Sequence, residues 1–213
     1  MSSNFLEALA GTNLYPITDQ AVSGLSHAEQ VVLLHDCGAR LVQLREKFDS
    51  PLMFFAQAEA ALLIARDRGV KIIINDRVDI ALAVSADGVH LGQDDMSPEA
   101  ARNILGSHAI IGFSTHSLEQ ARLATQMPVD YVALGPIFAT NTKSSLNPPI
   151  GLEGVARVRE ILGTIPLVAI GGIGTRNIGS VIGAGADAAA VISDIWAPAG
   201  RTAAKVKLLL HAS

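Results

Sequence analysis

Short β-rich runs alternate with helical segments along the whole sequence, and this alternation limits the fold more than any other feature. The segments between the runs, such as 50–69 and 152–163, have apolar residues three and four positions apart, as amphipathic helices do. Strands that alternate with helices form a parallel sheet. The eight predicted strands are residues 13–18, 40–45, 71–75, 87–92, 109–114, 130–135, 166–171 and 187–193.

Eight strand-helix units in 213 residues fit a closed (β/α)8 TIM barrel, which we expect to span residues 1–213 as a single domain. An open, doubly wound sheet is the alternative. In the stretch GGIGTRNIG, Gly172 and Gly174 are followed by Asn177 where a dinucleotide-binding fingerprint requires a third glycine. No GxxxxGK stretch is present either, so the sequence favours the barrel.

Several of the units share one pattern, in which a helix ends at small residues and an acidic residue then precedes the next strand. The pattern appears in SADGVHLG at Asp87, in PVDYVALG at Asp130 and in GADAAAVIS at Asp187. A pattern that recurs at corresponding positions indicates an internal structural repeat.

The charge balance excludes several classes of partner. The chain has 16 basic and 20 acidic residues, a net charge of −4, and therefore lacks the basic field that binds nucleic acid or an anionic membrane. The N-terminal MSSNFLEALAGTN does not read as a secretory signal, and no run approaches the roughly 18 apolar residues of a membrane span. We expect a cytoplasmic protein whose partners are small molecules. The sequence leaves open whether copies of it form a homo-oligomer.

Polar residues gather where the predicted strands end, and in a barrel these ends meet at the mouth that holds the active site. Loops are exposed to solvent, and this alone explains any single Ser, Thr or Gln at such a position. It explains the whole set less well, because the strand interiors carry few charges while the ends carry three carboxylates, an arginine and two lysines. The set is Thr18, Asp19, Gln43, Arg45, Lys47, Asn75, Asp76, His90, Gln93, Asp95, Ser114, His116, Thr140, Thr142, Lys143, Gly171, Gly172, Ile192 and Ser193.

The basic members of this set suit a diphosphate. Gln43 and Arg45 are two positions apart on one strand, so their side chains share a face, and Lys47 follows just beyond them. Lys143 arrives from the loop after the sixth strand. We therefore expect one cationic cluster at the mouth.

Two of the acidic members, Asp76 and Asp95, each lie just past a strand and offer the hard oxygen ligands that Mg²⁺ takes when it binds through one or two carboxylates and substrate phosphates. Two acids could equally form salt bridges with the basic groups nearby. GGIG, from Gly171 to Gly174, and VIS, from Val191 to Ser193, could hold a separate phosphate through backbone N–H groups.

A spaced set of motifs resembles the thiamine phosphate synthase family. In order, the motifs are LYPITD, QLREK, IINDRVDIAL, ADGVHLGQDD, IGFSTHS, DYVALGPIFATNTK, VAIGGI and VIS, from residue 14 to residue 193. The resemblance implies a (β/α)8 barrel and a Mg²⁺-dependent transferase. Such an enzyme joins a hydroxymethylpyrimidine diphosphate to a thiazole phosphate, forms thiamine phosphate and releases pyrophosphate.

The resemblance also implies roles for individual residues. It makes Asp76 and Asp95 the Mg²⁺ ligands, and Arg45, Lys47, Ser114 and Lys143 the catalytic residues. The pyrimidine diphosphate site that it implies contains Gln43, Leu44, Arg45, Glu46, Lys47, Asn75, Ser114 and Lys143. The implied contacts to the thiazole phosphate are Thr140, Asn141, Thr142, Gly172, Ile192 and Ser193.

Two other functions fit parts of this pattern. A thiazole tautomerase is a related barrel that only isomerises the thiazole phosphate, and the STH sequence around His116 suits it. A non-catalytic barrel that binds a thiamine precursor would keep the phosphate groups and lose the metal pair. The retained carboxylates and basic cluster favour the synthase. One departure from the expected pattern is Asp194, which follows Ser193 where we expect a small residue.

Overall fold

The computed structural model describes residues 4–140, 148–196, 200–210 and 212. Eight parallel strands close into a barrel in which each strand pairs with its neighbour in sequence and the last pairs with the first. The predicted (β/α)8 barrel is confirmed. The strands are β1 (Leu14–Thr18), β2 (Leu41–Leu44), β3 (Lys71–Asn75), β4 (Gly88–Leu91), β5 (Ile110–Thr115), β6 (Tyr131–Leu134), β7 (Leu167–Ile170) and β8 (Ala188–Val191).

Helices surround the sheet, and several begin where the sequence places a capping serine. The hydroxyls of Ser26, Ser50, Ser97 and Ser117 each accept a hydrogen bond from a backbone N–H in the first turn. The helices are α1 (Asn4–Leu9), α2 (Gln20–Ser23), α3 (His27–Asp36), α4 (Pro51–Arg68), α5 (Val78–Ala83), α6 (Pro98–Leu105), α7 (Leu118–Ala124), α8 (Gly151–Leu162), α9 (Ile178–Gly183), α10 (Ser193–Trp196) and α11 (Thr202–Leu210). None of the helices in the described ranges is long and apolar enough to cross a membrane.

Alternation along each strand divides the apolar side chains into two cores. Residues such as Leu44, Ile72 and Ile74 pack outward against the helices. Their neighbours face the barrel axis and form a smaller interior core. Its buried members are Phe5, Leu9, Tyr15, Ile17, Leu41, Ile73, Ile110, Tyr131, Ala133, Val168, Ala188 and Ala190.

The short helix α1 closes the amino end of the barrel. Phe5 is fully buried among the first inward residues of the strands, and its ring stacks on that of Tyr131 at 4.1 Å between centroids. The edge of Tyr15 meets Phe5 at 5.6 Å. An aromatic floor therefore separates the amino end of the barrel from the mouth.

The repeated acidic residue before a strand forms the same contact in each of its three occurrences. One carboxylate oxygen of Asp87, Asp130 and Asp187 accepts the backbone N–H of Ile72, Ile111 and Leu167, respectively, at 2.7 to 2.8 Å. Each carboxylate also pairs with a basic side chain, from Lys71, Arg102 and Arg159 in turn. We call these three contacts the aspartate clamps. They tie β3 to β4, β5 to β6 and β7 to β8 at the amino end of the barrel.

Candidate active site

A cavity of about 640 Å³ opens at the carboxyl ends of the strands and extends down to the interior core. That volume is within the range of small-molecule sites. Most of the predicted site residues within the described ranges line it, and the structure therefore brings them together as the sequence predicts. They are Gln43, Arg45, Lys47, Asn75, Asp76, Asp95, Ser114, Thr140, Gly172, Ile192 and Ser193.

Arg45 and Lys47 form the basic side of the cavity. Asp19 holds Arg45 through a hydrogen bond of 2.7 Å from Nη1 to Oδ2, and the arginine is only 14% exposed. The other guanidinium donors have no hydrogen-bond partner in the described part of the chain, so they can meet an anionic ligand. The Lys47 ammonium pairs with Asp76, which follows the neighbouring strand β3.

Asp76 and Asp95 form the acidic side. Asp76 follows β3 in a left-handed conformation, with φ of 63°, which an Asp or Asn tolerates better than most residues. Oδ2 of Asp95 accepts the backbone N–H of Gly92 at 2.6 Å. Loss of solvation raises the pKa of Asp95, and the neighbouring charge of Asp76 raises it further.

These two carboxylates fit a divalent cation. The two carboxylates lie close enough that the charge of Asp76 contributes to the raised pKa of Asp95, and the Lys47 ammonium already occupies a position where a cation would meet Asp76. Within the described ranges, no group of three or more His, Cys, Asp or Glu side chains converges on such an ion. Two protein carboxylates with the remaining ligands from water and substrate oxygens is the arrangement that Mg²⁺ commonly takes.

Asn75 completes the centre of the cavity. The residue is buried, and its side-chain amide has no hydrogen-bond partner in the part of the chain that the structure describes. The amide atoms are not sealed in the interior but open to the cavity, where water or a polar ligand can satisfy them. The position therefore suits a contact with a polar ligand.

A second cavity of about 740 Å³ adjoins the mouth beside β7 and β8, and Thr140, Gly172 and Ser193 line both cavities. Gly172 has a φ of 66°, and a Cβ there would lie 2.7 Å from the carbonyl oxygen of Ala139. Glycine is thus required at this position by the neighbouring loop. Asp194, which departs from the expected pattern, accepts the backbone N–H of Thr175 at 2.9 Å and pairs with Lys205.

The side chains of Leu44 and Glu46 do not reach the cavity, although both are in the predicted diphosphate site. They alternate with Gln43 and Arg45 and so face the other way. Leu44 is fully buried in the outer core. Glu46 accepts backbone N–H groups of its own loop and an amide hydrogen of Gln20. The predicted residues Asn141, Thr142 and Lys143 lie outside the described residues.

Sequence reasoning missed two tyrosines in the cavity floor. Tyr15 and Tyr131 lie near the amino ends of their strands and not at the carboxyl ends, yet both line the cavity and their hydroxyls are 3.1 Å apart. The available signal was alternation, since Tyr15 shares its face with Ile17, and Tyr131 shares its face with Ala133.

The fold and this cavity define a (β/α)8 barrel enzyme site with basic and acidic sides at the carboxyl ends of the strands. A family model described as thiamine monophosphate synthase matches residues 14–195. The chain belongs to this family.

Individual relatives agree over nearly the whole chain. The chain is 44% identical over 196 residues to a thiamine-phosphate synthase of Chloroflexus aurantiacus, an alignment that covers 92% of this chain and 90% of the relative. It is 43% identical over 201 residues to one of Albidiferax ferrireducens, covering 94% and 91%. A solved thiamine phosphate pyrophosphorylase from Pyrococcus furiosus superposes with a TM-score of 0.85 and 35% identity, covering 97% of this chain and 96% of that one.

Proposed function

We propose that this chain is a thiamine-phosphate synthase, a Mg²⁺-dependent transferase that joins a hydroxymethylpyrimidine diphosphate to a thiazole phosphate and releases pyrophosphate. The observation that carries the proposal is the meeting of two carboxylates with Arg45 and Lys47 in one cavity. Family membership supports the choice of substrates. The cytoplasmic location stays a prediction from the sequence.

The proposed reaction breaks the bond between the pyrimidine CH₂ carbon and the diphosphate oxygen, so negative charge grows on the leaving group. Arg45, already oriented by Asp19, presents its remaining donors to that oxygen. One preorganised donor of this kind is typically worth about 3 to 4 kcal/mol. The thiazole nitrogen then forms the new bond to the CH₂ carbon, and no protein nucleophile is required.

In the proposed complex, Asp76 and Asp95 hold Mg²⁺, which when bound would neutralise charge on the diphosphate. Lys47 then has a second task. Its ammonium pairs with Asp76 in the ligand-free chain, and binding of the metal and diphosphate would release it to the leaving group. Asn75 offers its unused amide to the same ligand, and Ser114 its hydroxyl.

A thiazole tautomerase remains the second candidate because His116 lines the same cavity, with its Nδ1 2.6 Å from the carbonyl oxygen of Gly135. Isomerisation of the thiazole phosphate needs neither a metal nor a diphosphate site. The basic and acidic sides of the cavity would then have no use, which favours the synthase.

The test is to mix the purified chain with both substrates and Mg²⁺ and to detect thiamine phosphate by its mass. We expect product with Mg²⁺, none in excess EDTA, and recovery when Mg²⁺ is restored. Full activity in excess EDTA would contradict the metal assignment. Consumption of the thiazole phosphate alone, without pyrophosphate release, would support the tautomerase.

A further inference from the structure

Five polar side chains form a continuous hydrogen-bonded relay in the cavity floor. Gln43 Nε2 is 3.1 Å from the Tyr15 hydroxyl, which is 3.1 Å from the Tyr131 hydroxyl. The Tyr131 hydroxyl is 2.9 Å from Nδ1 of His90, and Nε2 of His90 is 2.8 Å from Oγ of Ser114. We call this chain the tyrosine relay. It crosses the barrel interior from Gln43 on β2 to Ser114 on β5, and all of its members line the cavity.

The relay is enclosed and held in place by its surroundings. Gln43, Tyr15, Tyr131 and His90 are all buried, so each hydrogen that lacks an acceptor would be costly. Gly112 on β5 leaves the space that the Tyr131 ring occupies, because a Cβ there would lie 2.0 Å from Cζ of the ring. The imidazole of His90 stacks on the same ring at 5.5 Å and 17°.

The direction of the hydrogen bonds follows from Gln43. Its Nε2 can only donate, so Tyr15 accepts there and gives its own single hydrogen to Tyr131. Tyr131 in turn donates to Nδ1 of His90. Burial raises the pKa of both phenols, so each keeps its hydrogen. The reverse direction would leave the hydrogen of Tyr15 without an acceptor in the barrel interior.

A neutral histidine that accepts at Nδ1 carries its hydrogen on Nε2. His90 then donates to Oγ of Ser114, and the hydroxyl hydrogen of Ser114 is left to point into the cavity.

We propose that Tyr15 and Tyr131 are positioning residues that hold His90 in the Nε2–H tautomer and so make Ser114 a hydrogen-bond donor to an acceptor atom of the ligand. The part that concerns Ser114 and a substrate rests on the proposed synthase function. The part that concerns His90 does not, because the hydrogen bonds that fix the tautomer are made by the protein's own side chains.

The tautomer is read directly from nitrogen-15 NMR of the ligand-free chain with labelled histidine, with His90 assigned by the signals lost in His90→Gln. We expect a non-protonated Nδ1 and a protonated Nε2 in the wild type, and a mixed tautomer in Tyr131→Phe. Thr115→Val is the matched control, because it removes a buried hydroxyl on β5 that donates to the Ala133 carbonyl outside the relay. It should leave the His90 signals unchanged. A protonated Nδ1 in the wild type, or unchanged His90 signals in Tyr131→Phe, would overturn the proposal.

A double-mutant cycle tests the link to Ser114. Tyr131→Phe should lower kcat roughly tenfold in the wild-type background, with a smaller effect on KM, and should cause no further loss in Ser114→Ala. Tyr15→Phe should have a smaller effect, because the contact between Tyr131 and His90 remains. Equal losses in both backgrounds would mean that Tyr131 does not act through Ser114, and would overturn the proposal. If the wild-type chain forms no thiamine phosphate, the synthase function fails, while the NMR signals still decide the tautomer.

Discussion

Asn75 and Asp76 are adjacent residues at the end of β3, yet their environments differ. Asn75 is a buried strand residue whose amide has no partner within the described ranges, and Asp76 is a left-handed residue whose carboxylate pairs with Lys47. Asparagine tolerates the left-handed conformation as aspartate does. Asp76→Asn therefore changes the charge of the ligand oxygen while keeping the backbone, and Asn75→Ala removes only an amide.

We expect the two variants to fail differently. Asp76→Asn should weaken Mg²⁺ binding, so that activity partly recovers when Mg²⁺ is raised well above the level that the wild type needs. Asn75→Ala should lose activity that extra Mg²⁺ does not restore. The measurement is a Mg²⁺ titration of initial rates for each variant, together with its melting temperature. An unchanged Mg²⁺ dependence in Asp76→Asn would refute the ligand assignment.

His27 is a second residue with an unusual environment. It is fully buried, its Nδ1 is 2.7 Å from Oγ1 of Thr18, and its Nε2 has no hydrogen-bond partner among the described residues. Burial lowers the pKa of His27 from 6.5 to about 4, although the nearby charge of Glu46 opposes the shift. The unfolded chain therefore takes up a proton on this residue at a higher pH than the folded chain.

The free energy of unfolding should fall as the pH decreases from about 6.5 to about 4, with a contribution from His27 of about 3 kcal/mol. This contribution is fully present above pH 6.5 and does not change further below about pH 4. Chemical unfolding of the wild type and of His27→Gln across this range gives the test, because other titrating groups contribute to both curves. Parallel curves would contradict the assigned pKa.

At the scale of the elements, the aspartate clamps give a structural reason for the acidic residue that recurs before several strands in the sequence. In each clamp, the acidic residue before a strand accepts a backbone N–H from the preceding strand and pairs with a basic side chain. Arg40 occupies the corresponding position before β2 and donates instead to the carbonyls of His35 and Ala39. The repeat therefore concerns the amino end of the barrel and not the reaction.

Asp130→Ala should lower stability and leave catalysis unchanged. Its carboxylate accepts from the N–H of Ile111 at 2.8 Å and from Arg102 at 2.6 Å, and the loss of both contacts should cost about 1 to 3 kcal/mol. The melting temperature should fall by roughly 2 to 10 °C, with KM unchanged for both substrates. Asp67→Ala is the control, since the Asp67 side chain is exposed and its carboxylate pairs only weakly with Arg68, at 3.7 Å. This substitution should lower the free energy of unfolding by less than about 1 kcal/mol. A change in KM in Asp130→Ala would argue against this separation.

At the scale of the whole molecule, α1 has an effect out of proportion to its six residues, because it closes the amino end of the barrel. Phe5→Ala would open a cavity beneath Tyr131 and should lower the free energy of unfolding by about 3 to 5 kcal/mol. Leu6→Ala in the same helix is the matched control, because Leu6 is 36% exposed and should cost less than about 1 kcal/mol. Denaturant unfolding of both variants gives the comparison. Equal costs would mean that Phe5 does not seal the barrel.

Much of the barrel could be predicted because its strands are short apolar runs with a clear period, and the observed strands begin and end within two residues of the predicted limits. The site residues at strand ends could be predicted for a similar reason, since a polar residue after an apolar run is visible in the sequence. Tyr15, Tyr131 and Phe5 could not be placed in this way. Tyr131 contacts Tyr15 across 116 residues of sequence and also stacks on Phe5, and only closure of the barrel brings these residues together.

The aspartate clamps lie at the opposite end of the strands from the catalytic mouth, and this separation affects how such a chain can diverge. A protein that evolves from this one could change the loops at the carboxyl ends and catalyse another reaction. It would keep its resistance to heat, because the clamps at the amino end are unchanged. The reverse also holds, so a lineage that moves to a hotter habitat could strengthen the amino end without losing its substrates. For this barrel, the position of a mutation along a strand therefore indicates whether natural selection acts on it mainly through its effect on heat resistance or through its effect on the reaction.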